Sequence, residues 1–116
     1  MKKFEEVLAL YRGHGWQLAR VLMSAESRGG FPQSVGDGVG ERADLFGAVP
    51  VTESAVDAMW FRREAQEGRE AWELRLVGDP PFALLEVFEP DEAEEDREDV
   101  RREMEARLRE RVAPPA

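Results

Sequence analysis

Apolar residues recur with regular spacing in several stretches of this chain, and the spacing changes from helical to strand-like along it. Phe4, Val7, Leu8 and Tyr11 fall at i, i+3, i+4 and i+7, one face of an α-helix. Gly13 and Gly15 break the pattern, and glycine just past a last turn commonly stops a helix. The first helix is therefore expected to end near Arg12. Trp16, Leu18 and Leu22 then alternate with a break at Arg20, so 16–23 reads as a strand. Its rival is a longer helix running to about Glu26, kinked at the glycines.

Three strands with clearer signals follow at 55–63, 71–77 and 82–88. Trp72, Leu74 and Leu76 alternate with Glu73 and Arg75 in the middle one. Gln66-Glu67-Gly68 and Gly78-Asp79-Pro80-Pro81 supply the turns, which makes an antiparallel meander the natural arrangement. Between the two halves, 28–42 is expected to be a flexible Gly-rich loop. The segment 43–52 reads as a weak edge element, because Pro50 argues against a central strand.

The last element is helical. Asp91 with Glu94 three residues on resembles a capping box, acidic residues crowd the start, and Arg107, Arg109 and Arg111 crowd the end. Glu98-Arg102, Glu103-Arg107 and Glu105-Arg109 are spaced as i,i+4 ion pairs. Its apolar stripe is sparse: Ala93, Val100, Met104 and Leu108. Pro114 and Pro115 end it, leaving 113–116 as an expected disordered tail. At 116 residues the chain has the length of one domain. The expected fold is α+β, an antiparallel sheet of about four strands with a helix at each end, in the order α-β-β-β-β-α.

The turns also fix an expected register. Trp60 should lie opposite Leu74, Arg62 opposite Trp72, Leu74 opposite Leu85 and Trp72 opposite Val87. One sheet face then collects Ala58, Trp60, Trp72, Leu74, Leu76, Ala83, Leu85 and Val87 as a core. The other collects Met59, Phe61, Val77, Phe82, Leu84 and Phe88 among Glu73, Arg75 and Glu86. That second face is too apolar for water and too charged for a deep core. The C-terminal stripe is too thin to cover much of it, and the first helix is needed on the core side. Those six apolar residues are therefore the candidate interface with a second copy or another protein. The competing expectation is that the Gly-rich loop or an edge segment folds over them. A one-residue slip of register would exchange the faces.

Composition narrows the chemistry. The chain carries 25 acidic and 16 basic residues, a net charge of −9. That field repels phosphate backbones and anionic membranes, so neither nucleic acid nor membrane is expected as a partner. No apolar run approaches the roughly 18 residues of a membrane span, and Glu5 and Glu6 interrupt what would be a signal peptide. A cytoplasmic location is expected. With no cysteine, disulfides, thiolate catalysis and cysteine-bound zinc are excluded.

The remaining candidates read as structural. Gly36-Asp37-Gly38-Val39-Gly40 lacks the context of a phosphate-binding loop. His14, the single histidine, fits helix termination. The acidic run from Asp91 to Asp99 lies on a helix rather than a calcium loop. Trp60, Phe61 and Trp72 sit in too acidic a chain for base stacking, and Arg62 is expected to stack at the rim of Trp72. Glu73, Arg75 and Glu86 are expected as an ordinary cross-strand charge group. No catalytic residue, metal site or cofactor is expected. The sequence thus points to a non-enzymatic interaction domain, homodimeric or bound to a protein partner. The alternative is a ligand-binding or enzymatic pocket beneath the Gly-rich loop, with His14 at its edge.

Overall fold

The computed structural model describes residues 2–30, 46–78 and 80–112. The chain passes through α1 (Lys2–Gly13), β1 (Gln17–Met23), a short α2 (Ala25–Gly30), β2 (Val51–Glu53), β3 (Ala58–Glu64) and a 3-10 turn (Gln66–Gly68). It continues through β4 (Glu70–Leu76), β5 (Ala83–Phe88) and α3 (Glu94–Val112). α1 stops where the glycines stand: Gly15 has φ +84°, a conformation other residues rarely take.

The strands form one five-stranded sheet in the order β2-β1-β3-β4-β5. β2 runs parallel to β1, with Val51 beside Val21. All other neighbours are antiparallel. The α+β class holds, but the sheet has five strands and is mixed, where four antiparallel strands were expected. The added strand is the weak edge element, confined to three residues after Pro50. Proline lacks a donor yet keeps its carbonyl, and the Val21 N–H donates to the Pro50 carbonyl at 3.0 Å.

α2 was not expected, because six residues with two glycines show no period. Its start is held by side chains rather than by spacing. The Ser27 N–H donates to Ser24 Oγ at 3.2 Å, and Asp57 accepts from the Ser24 N–H and the Ser27 hydroxyl. Arg28–Gly30 therefore belong to a helix instead of the expected loop, and 31–45 lie outside the described residues, as does the 113–116 tail. α3 also starts later than the Asp91 cap implies. Glu92 accepts from the Glu89 N–H at 2.8 Å, and the helix begins at Glu94.

The β3–β4 register is the expected one, with Trp60 opposite Leu74 and Arg62 opposite Trp72. β5 is shifted by one residue: Leu74 faces Leu84 and Trp72 faces Glu86. The cause lies in the connection. The Leu76 N–H donates to the Phe82 carbonyl (2.8 Å), so these two residues pair and the connection between them is one residue shorter than the expected register requires. An odd number of residues thus separates the last positions of the ladder, Arg75 and Ala83. Since side chains alternate, the slip moves all of β5 to the opposite faces.

The sheet is sandwiched. α1 packs Phe4, Val7, Leu8 and Tyr11 onto Val21, Met23, Met59, Phe61 and Val77. α3 packs Met104 and Leu108 onto Trp60, Trp72, Leu74 and Phe88 on the other face. The break at Arg20 is an irregularity of the β1–β3 pairing between Leu18 and Arg20. It lets Leu18 and Val21 face α1 while Ala19 and Leu22 face α3. The expected placement of the helices is therefore corrected: α1 covers the Met59–Phe61 face and α3 the tryptophan face.

Candidate interaction surface

α3 covers its face with little apolar surface, and arginines supply the rest. Arg101 is 2% exposed, with its guanidinium carbon 4.0 Å from the Trp72 ring centroid and 5.4 Å from that of Phe88. Its Nη1 donates to Glu94 at 2.7 Å and Glu98 at 2.9 Å. Arg20 of β1 grips the same Glu98 with two hydrogen bonds, at 2.8 and 3.1 Å. Those bonds from Arg20 hold the Glu98 carboxyl down at about 2, against its partial burial and with help from Arg101. Glu94 is lowered too, chiefly by its bond from Arg101. Trp60 donates its indole N–H to Glu105 at 2.8 Å.

These contacts redirect side chains that the sequence pattern assigned within α3. Glu98 bonds Arg20 and Arg101 instead of Arg102, and Glu105 accepts from Trp60. The stacking arginine on Trp72 is Arg101, while Arg62 pairs with Glu70 at 3.5 Å. α3 is thus committed to its sheet by a charged clamp. Among the described residues no cluster of three or more His, Asp or Glu side chains is arranged to hold a metal ion. Nor is any described helix long and apolar enough to cross a membrane.

On the opposite face α1 seals one half of the sheet and leaves the other open. Tyr11 stacks on Phe61 with centroids 4.1 Å apart and bonds the Glu73 carboxylate through its hydroxyl. Burial, then that bond, pushes the Tyr11 hydroxyl up to about 12. Arg75 lies 5.8 Å from the Tyr11 ring. Beyond this row α1 covers nothing. Ala83, Leu85 and Val87 of β5 lie across from Arg75, Glu73 and Ala71 on this same face. Leu85 is 58% exposed and Val87 42%.

Leu85 and Val87 also line a broad concavity of about 1070 Å³, with His14, Trp16, Arg63 and Glu70 among its walls. Two of its polar walls, His14 and Arg63, are engaged with backbone carbonyls. His14 Nδ1 lies 2.9 Å from the Leu10 carbonyl oxygen, at the end of α1. Arg63 donates to the His14 carbonyl at 3.2 Å and lies 4.6 Å over the Trp16 ring.

The six residues expected to form one interface are not together. Met59, Phe61 and Val77 lie in the core under α1, while Phe82, Leu84 and Phe88 pack with the α3 core. The register slip separates them, and α1 buries Met59 and Phe61 completely. In exchange it brings Leu85 and Val87, assigned by the sequence to the core, onto an open face. Glu86 goes to the α3 side, away from Glu73 and Arg75, so the expected three-residue charge group does not form. Gly36–Gly40 lie outside the described residues. Comparison with protein-family models, curated proteins and solved structures finds no match to this chain.

Proposed function

We propose that this chain is a protein-interaction module that presents the open β4–β5 side of its sheet to another polypeptide. The observation that carries this reading is the pair Leu85 and Val87, exposed side by side on an edge strand of a sheet whose other half is covered. Single exposed apolar residues are ordinary, but a contiguous strip on a sheet edge favours pairing with another chain. The strand lacks the usual deterrents: between Ala83 and Phe88 its one charged residue, Glu86, points to the other face.

The pocket alternative takes support from His14 and Arg63 at the wall of the concavity. It is the weaker reading, because those groups are engaged with backbone carbonyls and with each other, which leaves few converging donors for a ligand.

A photo-crosslinking residue placed at Leu85 tests the proposal, with Glu5 on the outer side of α1 as the control position. Protein adducts at 85 and not at 5, in cells making the chain, are the expected result. Equal labelling at both positions, or none at 85, overturns it.

A further inference from the structure

Leu76 donates to Phe82, so the backbone groups of 82, 84, 86 and 88 turn toward β4. By alternation the N–H and C=O groups of Ala83, Leu85 and Val87 turn outward, along the free edge. These are the same residues whose side chains line the open face. A partner strand here gains main-chain bonds and apolar contact from one set of positions.

We propose that a second copy of this chain occupies this edge, β5 running antiparallel to β5 about a two-fold axis at Leu85, with α3 lying beside α3. This rests on the interaction reading above and names its partner. The register follows from charge and overlap. Leu85 opposite Leu85 of the second copy pairs Ala83 with Val87 and uses the whole strand. A shift centred on Glu86 would oppose two carboxylates.

The helices fit the same two-fold. α3 lies over β4 and β5. It runs back along β5, since Arg97 and Arg101 lie near Phe88 while Arg111 lies 5.0 Å over Phe82. Two strand spacings, ~9.6 Å, then separate the two helices, the distance at which helices pack. The two-fold sets them antiparallel. The acidic start of each, Glu94 to Asp99, then faces the basic end of the other, Arg107 to Arg111. Arg111 makes no ion pair among the described residues, and neither does Glu86. With Phe82 opposite Phe88 of the other copy, Glu86 of that copy becomes the diagonal neighbour of the ring under Arg111. The net charge of −9 on each copy opposes approach, but at physiological salt that repulsion is screened beyond ~8 Å.

The test is solution mass by light scattering over a concentration series for wild type, Glu86→Arg, Arg111→Glu and an equimolar mixture of the two variants. Wild type is expected to dimerise. Each variant alone places like charges at both symmetric contacts and should weaken the dimer about tenfold or more. The mixture should restore it, as a heterodimer in which both contacts are again complementary, which also shows that both variants fold. A monomeric wild type up to millimolar concentration overturns the second copy as partner, as do variants that dimerise like wild type. If the residue-85 crosslink to a different protein persists in a monomeric chain, the interaction reading stands and only this partner falls.

Discussion

The two faces of one sheet are closed by different physics. α1 supplies four apolar side chains in helical register and buries Met59 and Phe61 by shape and area. α3 supplies Met104 and Leu108 and closes the remaining area with Arg101, clamped by Glu94 and Glu98 against Trp72. An apolar face is indifferent to salt and, apart from Tyr11, to pH. A face closed by charge is sensitive to both. The comparison also explains why the apolar surface left over is on the α1 side. α1 spans only part of its face, whereas α3 extends along β5.

The contrast can be broken most severely on the α1 side. Phe61→Ala removes a fully buried ring stacked on Tyr11, and should cost about 3–5 kcal/mol in chemical denaturation, with little dependence on salt. On the α3 side, Arg101→Ala should cost about 2–3 kcal/mol, mainly because Trp72 loses the guanidinium plane above it. Arg101→Met keeps that packing and should recover more than half of the loss. If Arg101→Met is as damaging as Arg101→Ala, the ion pairs rather than the packing hold α3.

pH should separate the faces from opposite ends of the scale. Glu98 titrates near 2 in the folded chain against an ordinary 4.5, so its stabilisation is complete above 4.5 and fades as pH falls toward 2. The loss is at most roughly 3 kcal/mol, and Glu98→Gln should flatten that part of the acid unfolding profile. Tyr11 behaves in the reverse sense. Its hydroxyl is raised from 10 to about 12, so its contribution is complete below 10 and fades as pH rises to 12. The corresponding loss is up to about 2–3 kcal/mol, absent in Tyr11→Phe. Acid should therefore loosen the α3 side first, and alkali the α1 side, which hydrogen exchange resolved by residue can check.

The smallest expected effect on stability is at the exposed strip. At concentrations where the chain is monomeric, Leu85→Glu should change the unfolding free energy by no more than about 0.5 kcal/mol. The same substitution should abolish association through β5. A large loss of stability instead would mean that Leu85 is packed within its own chain.

Much of the fold was legible because local spacing carries it. α1, β1, β3 and β4 follow from period and turns, and the Gln66-Glu67-Gly68 turn placed Trp60 opposite Leu74. β2 and α2 were obscure for a plain reason. Three residues and six residues are too short to show a period, and β2 exists through pairing with residues of β1 about 30 positions away in sequence. The candidate surface was misplaced by a single residue, because Leu76 bonds Phe82 and the β4–β5 connection closes one residue sooner than the turn residues suggest.

The sequence by itself determined the apolar faces of α1 and of β3 and β4, the stop at Gly15, and the acid-to-base gradient along α3. Each of these depends on residues close together in the chain. Only the tertiary structure decided which helix lies on which face, where the arginines of α3 find their carboxylates, and which side of β5 meets water. Those outcomes depend on contacts between distant segments. One residue of register between β4 and β5 was enough to move Leu85 and Val87 from an expected core to an open edge.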